Sequence, residues 1–183
     1  AIAMDSQGNF VVAWVDDPSH NGNSRIRARG FSADGKERFA EFVVSATGTA
    51  QQRHPAIAMA PDGNFVIVWE QGPVATAQIA MKGFSANGSE RFASQSVHSD
   101  VLGQRIHPSV AMDGASNFVV VWQDDSDANG SYQIHARGFH AAGTERFARM
   151  TINSVAAGQQ RDSVIGMANS GAFVVAWADD QNK

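Results

Sequence analysis

Short apolar stretches with one pattern recur four times along the chain. They read GNFVVAW at 8–14, GNFVIVW at 63–69, SNFVVVW at 116–122 and GAFVVAW at 171–177. In an extended strand, alternate side chains point to opposite faces, so Phe65, Ile67 and Trp69 share one face while Val66 and Val68 share the other. Because both faces are apolar, the pattern predicts a strand that is covered on both sides.

The whole chain follows the same period. Trp14, Trp69, Trp122 and Trp177 are separated by 55, 53 and 55 residues, and Met4, Met59, Met112 and Met167 repeat those three spacings. A second motif, ARGFSADGKERF at 28–39, returns as MKGFSANGSERF at 81–92 and ARGFHAAGTERF at 136–147. The chain therefore contains three full repeat units and the first half of a fourth.

Each unit reads as four short strands separated by turn residues. In the second unit we predict strand one at PAIAMA, strand two at FVIVWE, strand three at QIAMKGF and strand four at RFASQSV. Asn87-Gly88 lies between strands three and four, where a two-residue hairpin turn requires positive φ. Strand one has one bulky face and one small-residue face, which suits strands that converge on an axis.

This pattern predicts an all-β fold made of β-propeller blades, each a four-stranded meander. The blades would span 1–54, 55–107 and 108–162, with a partial blade at 163–183. A β-trefoil, which also uses three four-stranded units, is the alternative. Three and a half blades leave sheet faces uncovered, so we expect self-association or a longer repetitive chain that completes the ring.

Composition narrows the range of partners. The formal net charge is -4 and the isoelectric point is about 5.8, which argues against a nucleic-acid partner because phosphate binding requires a concentrated basic surface. No run of eighteen apolar residues occurs, so we expect no membrane span. Cysteine is absent, which excludes disulfides and thiolate metal sites.

The repeat pattern also carries a resemblance. P-x-[IV]-A-M-x-x-[DG]-G-x-F-V-V-x-W, followed by I-x-A-[RK]-G-F-x-A-x-G, resembles repeats of very large bacterial surface and secreted proteins, which often also carry calcium-binding or adhesion modules. The resemblance covers essentially the whole chain. It implies a β-propeller-type fold and an extracellular or cell-surface location in bacteria, and it implies no particular activity. GFSADGKERF departs from that family, which more often has Arg-Phe-Asp ahead of the turn.

The acidic loop after strand two is a candidate calcium-binding site. In unit three, Asp125, Asp127 and Asn129 form a D-x-D-x-N-G series, the spacing that opens a calcium-binding loop. A weaker copy in unit one consists of Asp17, Ser19 and Asn21. No bidentate Glu stands at the twelfth position, which is Ala136. A hairpin loop rich in Asp, Asn and Gly is therefore favoured over a metal site, and calcium is the one cofactor that the pattern suggests.

A second set of candidate ligand-binding residues precedes strand one. A Gln occurs eight residues before each repeat Met, at Gln51, Gln104 and Gln159, and three residues later come His54, His107 and Asp162. The last three could converge near the axis, and two histidines with a carboxylate suit zinc or non-haem iron. We expect neighbouring blades to hold them too far apart for one ion, so histidines that hydrogen-bond a loop are favoured.

The sequence shows no G-x-S-x-G, H-E-x-x-H, phosphate-binding loop or dinucleotide fingerprint. It favours a noncatalytic interaction module of a bacterial extracellular or surface protein, which presents loops for protein or glycan binding. The alternative is a metal-dependent enzyme or hydrolase with a site on the propeller axis.

Overall fold

The chain has an all-β fold, as the sequence predicts. The computed structural model describes residues 1–19, 22–45, 51–99, 102–155 and 157–180. Within these ranges it contains 14 strands in four antiparallel sheets, together with one 3-10 turn at Val74–Thr76 and no α-helix. None of the four sheets formed by the described residues closes into a barrel. Among the described residues, no helix is long and apolar enough to cross a membrane.

The strands of each sheet are adjacent in the order of the chain. Sheet 1 comprises β1 (Ile2–Met4), β2 (Phe10–Asp16), β3 (Arg25–Phe31) and β4 (Glu37–Val43). Sheet 2 comprises β5 (Gln52–Met59), β6 (Phe65–Gln71), β7 (Gln78–Phe84) and β8 (Glu90–Ser96). Sheet 3 comprises β9 (Gln104–Met112), β10 (Phe118–Asp125), β11 (Gln133–Phe139) and β12 (Glu145–Thr151). Sheet 4 comprises β13 (Gln159–Met167) and β14 (Phe173–Asp180).

Both faces of the second strand are buried where a sheet has two neighbours. In β6, Phe65, Ile67 and Trp69 pack against sheet 1, whereas Val66 and Val68 pack against sheet 3. The corresponding residues of β10 are divided in the same way between sheets 2 and 4. The prediction that this strand is covered on both sides is therefore confirmed for sheets 2 and 3, and the cores lie between consecutive sheets.

The two end sheets each leave one face open. In sheet 1, Val11 and Ala13 pack toward sheet 2, so Phe10 and Trp14 lie on the opposite face, where they are half-buried. In sheet 4, the side chain of Val174 points away from sheet 3, and this residue is 71% exposed. The apolar face that other sheets bury is thus uncovered at both ends of the array.

A close contact between strands three and four requires glycine at one position of strand three. A Cβ on Gly83 of β7 would lie only 2.1 Å from the ring of Phe92 in β8, and Gly30 and Gly138 face Phe39 and Phe147 in the same way. Any side chain larger than hydrogen would displace the ring. The repeated Gly-Phe of the second motif therefore allows strands three and four to pack closely.

The first strand of sheet 2 starts earlier than the sequence suggests. We predicted PAIAMA for the second unit, but β5 begins at Gln52 and contains a bulge, in which His54 and Pro55 together oppose Trp69. Proline has no N–H to donate, so within a sheet it is tolerated at an edge or a bulge. The bulge lets the strand continue past Pro55 to Gln52.

Candidate functional site

The bulges of three inner strands place the sequence-predicted residues at equivalent positions. His54, His107 and Asp162 have φ of 47°, 52° and 53°. Side chains other than glycine rarely adopt this left-handed region, and Asn, Asp and His are enriched among those that do. In each case the bulge consists of two residues that oppose one Trp of the second strand.

Two further residues, which sequence reasoning missed, connect these positions. Oε1 of Glu70 lies 2.7 Å from Nδ1 of His54 and accepts a 2.8 Å hydrogen bond from the backbone N–H of His107. Oε1 of Gln123 lies 2.8 Å from Nδ1 of His107 and accepts a 2.9 Å hydrogen bond from the backbone N–H of Asp162. The five residues therefore form one continuous chain of hydrogen bonds across sheets 2, 3 and 4.

A sequence signal for Glu70 and Gln123 does exist. Each directly follows the repeated Trp of the second strand, inside a segment whose neighbours on both faces are apolar. Both side chains are buried, and a buried polar side chain needs hydrogen-bond partners. A polar residue at this position therefore indicates a specific contact, and here the contact is with the adjacent bulges.

The two histidines are much closer than we expected. Their rings contact edge to face, with centroids 5.1 Å apart and planes inclined at 80°. Oδ1 of Asp162 lies 4.0 Å from Nδ1 of His107. The expectation that neighbouring sheets hold these positions too far apart is thus wrong for His54 and His107, because β5 and β9 lie directly beside one another. Asp162 is not in the group of ligand atoms within 4.8 Å of one another, which consists of His54, Glu70 and His107.

An open cavity lies beside this row of residues. Its volume is about 400 Å³. The lining combines the bulge residues of three sheets, His54, Pro55, His107, Pro108, Asp162 and Ser163, with Ser109 and Val164. Apolar walls with a few polar groups that face the same space are typical of ligand sites.

The repeated glutamines have a different role. The side-chain amide of Gln104 donates to the carbonyl of Val74, and that of Gln159 donates to the carbonyl of Gly130 at 2.5 Å. Both acceptors lie in the loop after the second strand of the preceding sheet. In sheet 2, Oε1 of Gln51 accepts from Arg53 at 2.5 Å. The structure therefore separates Gln104 and Gln159 from the histidine row and assigns them to loop packing.

The carboxylates of the acidic loops accept hydrogen bonds from groups in their own loops. The carboxylate of Asp125 accepts the backbone N–H of Gly130 at 3.2 Å, and Asp17 accepts that of Gly22 at 2.9 Å. Asp127 accepts the side-chain amide of Asn129 at 2.7 Å. Ser19 is exposed, and Asn21 lies outside the described residues. These side chains therefore make the contacts of a polar turn.

A buried ion pair lies below the surface of sheet 3. Nε of Arg105 and Nδ1 of His135 each lie 3.2 Å from Oδ2 of Asp124, and the indole N–H of Trp122 donates to the same oxygen at 2.8 Å. Burial alone would raise the pKa of Asp124, but hydrogen bonds from His135, Trp122 and Ser126 outweigh it, and the pKa is well below its usual range. This carboxylate is therefore ionised and structural.

Comparison with known proteins supports the fold alone. No protein-family model matches the sequence, and no curated protein matches it. A protein of unknown function from Dyadobacter fermentans superimposes with a TM-score of 0.68 at 12% identity, over 98% of this chain and 48% of that one. An endo-arabinase from Bacteroides thetaiotaomicron gives a TM-score of 0.46 at 13% identity, over 87% of this chain and 56% of that one. The chain thus spans about half the length of these structures.

Proposed function

We propose that the chain is a noncatalytic interaction module of a bacterial extracellular or surface protein, and that it binds a protein or carbohydrate ligand. Its sheets would be the blades of an incomplete β-propeller. The cavity beside the inner strands is the observation that carries this proposal, because equivalent bulge residues from three consecutive sheets line it.

The arrangement of the sheets supports the propeller over the trefoil. Each described four-stranded sheet is a separate meander, and consecutive sheets pack face to face. The inner strands β1, β5, β9 and β13 are successive neighbours. Radial repetition of this kind places the first strands around a common axis. The extracellular location rests on the resemblance of the repeat motif.

The cavity favours recognition of a ligand with both polar and apolar surface. Pro55, Pro108 and Val164 supply apolar contacts, whereas the imidazoles of His54 and His107 supply hydrogen-bonding groups. Sugars and peptide segments both present such mixed surfaces. Rigid inner strands hold the site, which limits the entropy cost of binding.

A glycan array and a panel of surface proteins, each probed with the purified chain, test this function. The informative variant is Val164→Arg, which places a long charged side chain at the cavity, where Val164 is 60% exposed. Val74→Arg is the matched control, since Val74 is 61% exposed but lies in a loop away from the cavity. We expect Val164→Arg to weaken binding at least about tenfold and the control to leave it unchanged. Equal binding by the wild-type chain, Val164→Arg and Val74→Arg would show that the cavity is not the binding site.

A metal-dependent enzyme or hydrolase with its site on the axis is the second candidate. The adjacency of His54, Glu70 and His107 favours it. Hydrolase assays with the metal-loaded chain separate the two functions, because turnover abolished by His107→Asn supports an enzyme, whereas binding without turnover supports the interaction module.

A further inference from the structure

We propose that His54, Glu70 and His107 form a binding site for a divalent transition-metal ion of the zinc class. One side-chain ligand atom from each of these three residues lies within 4.8 Å of the other two. Among the described residues, this is the one group of three or more His, Asp or Glu side chains with such a separation. The proposal holds whether or not the module is catalytic.

The ligand types match the preference of zinc. Two imidazole nitrogens and one carboxylate oxygen form the protein ligand set of many open zinc sites, in which a fourth position remains for water or another ligand. With bonds of about 2.0–2.2 Å, two atoms on one ion lie at most about 4.4 Å apart. The three groups therefore need only a small approach to meet on one ion, and the side chains of His54 and His107 are both partly exposed.

The hydrogen bonds of His107 determine which ring nitrogen can act as ligand. The backbone N–H of Asp162 donates to Oε1 of Gln123, so that atom must be the amide oxygen. Nδ1 of His107 faces the same oxygen at 2.8 Å and must carry the proton. Nε2 of the neutral ring consequently keeps its lone pair for a metal. A ring N–H that donates to a carbonyl or carboxylate is the usual support for metal-binding histidine.

His54 faces Glu70 through its other ring nitrogen. Nδ1 of His54 lies 2.7 Å from Oε1 of Glu70, so Nδ1 is the nitrogen of this ring that can share an ion with the carboxylate, in place of the hydrogen bond that joins them. Glu70 itself is almost fully buried, with Nε of Arg53 3.5 Å from its second oxygen. An ion at this point would add a positive charge beside a buried carboxylate, which favours its binding electrostatically.

The cavity gives a metal ion access to the two histidines and leaves room for a further ligand on the ion. His54 and His107 both line it, and both side chains are about half exposed. The carboxylate of Asp162 lies at the same cavity and carries a charge that attracts cations. A bound ion would therefore face solvent and could hold a carboxylate or hydroxyl group of a ligand.

Isothermal titration of the metal-free chain with zinc chloride tests the site. We expect one ion per chain with a dissociation constant in the micromolar range or below. His54→Asn and His107→Asn should each weaken binding at least about tenfold. Asparagine suits these positions because it tolerates positive φ, and near-ultraviolet circular dichroism would verify that the variants remain folded.

Two more variants make the test specific. Glu70→Gln keeps an acceptor for the two hydrogen bonds but removes the anionic ligand, and we expect at least about a tenfold loss of zinc affinity. His140→Ala removes an exposed histidine outside the cluster and should leave affinity unchanged. Nitrogen-15 shifts of the ring atoms should show zinc on Nδ1 of His54 and on Nε2 of His107. No saturable binding below about 100 μM, or equal affinity in all variants, would overturn the proposal and leave the interaction module intact.

Discussion

The backbone N–H of His107 donates a 2.8 Å hydrogen bond to Oε1 of Glu70, a residue 37 positions earlier in the preceding sheet. Gln123 makes the same bond to the backbone N–H of Asp162 in the following sheet. The second strands of sheets 2 and 3 therefore each hold the bulge of the next inner strand through one buried oxygen. These bonds connect separate sheets, so they stabilise the array as well as the individual sheet.

Glu70→Ala should destabilise the chain far more than Glu70→Gln. Alanine leaves the N–H of His107 without its acceptor and removes the partner of Arg53, so we expect a loss of about 2 kcal/mol in the free energy of unfolding. Glutamine keeps the acceptor, as Gln123 does in sheet 3, and should cost less than about 1 kcal/mol. Urea denaturation measures both values, and equal losses would show that the charge rather than the hydrogen bond matters.

Trp69→Ala should cost about 3–5 kcal/mol of unfolding free energy, because it removes a large aromatic side chain that is 0% exposed between sheets 1 and 2. Trp177→Ala is the matched control, since Trp177 occupies the equivalent strand position but is 36% exposed. We expect the control to cost about half as much or less. Urea melts of the two variants decide the point. A loss below about 1 kcal/mol for Trp69→Ala is incompatible with its buried position.

Asp124 should contribute stability that disappears in acid. Its pKa is lower in the folded chain than the usual value of 3.8, so the folded state favours the ionised form. That contribution is complete above about pH 4 and decreases as the pH falls toward the lowered pKa of the folded state. Asp124→Asn, which removes the buried carboxylate beside Arg105 and His135, should cost about 3 kcal/mol at pH 7.

The pH dependence of the same variant supplies the check. The difference in unfolding free energy between wild type and Asp124→Asn should shrink progressively below pH 4, because the unfolded wild-type chain binds a proton at Asp124 more readily than the folded chain does, whereas the variant has no carboxyl group there. Urea melts at pH 7, 4 and 3 measure it. A difference that stays constant over this range would exclude an ionised Asp124 as the source of stability.

Calcium should leave the melting temperature unchanged. The carboxylates of Asp125 and Asp127 already accept hydrogen bonds within their own loop, and a calcium loop needs such oxygens to converge on the ion. Thermal melts with calcium and with a chelator should coincide. An increase with calcium that Asp127→Ala abolishes would restore the loop as a calcium site.

The isolated 183-residue chain should associate through the open faces of its end sheets. Val174 is exposed on sheet 4, whereas the equivalent Val66 and Val119 are buried against the next sheet. At the other end, Phe10 and Trp14 lie on the face that Phe65 and Trp69 bury in sheet 2. A second copy, or further repeats of a longer chain, would cover both surfaces and complete a ring of about seven blades.

Sedimentation velocity tests this association. Val174→Lys should shift the chain toward the monomer, because a charge on the contact face must lose its water. Val74→Lys changes another well-exposed valine, in the 3-10 turn after β6, and should leave the sedimentation coefficient unchanged. A wild-type monomer of 19.5 kDa with a sharp cooperative melt would contradict the open-ring arrangement.

The sequence by itself determined the strands and their buried faces. Alternation at Phe65, Val66 and Ile67 is a local property of an extended chain, so two apolar faces imply burial on both sides before any neighbour is known. The repetition of that pattern then determined how often the sheet recurs. The start of the first strand could not be predicted in the same way. Pro55 indicates the beginning of a strand, but the bulge at His54 lets β5 continue past it to Gln52.

Only the tertiary structure decided the site. His54 and His107 are separated by 53 residues (107 minus 54), and their contact depends on how closely two inner strands of different sheets approach. The part played by Glu70 depends on the same approach, because its two hydrogen-bond donors belong to different sheets. Local periodicity specifies which way a side chain points, but the distance between sheets follows from the packing of all the residues between them.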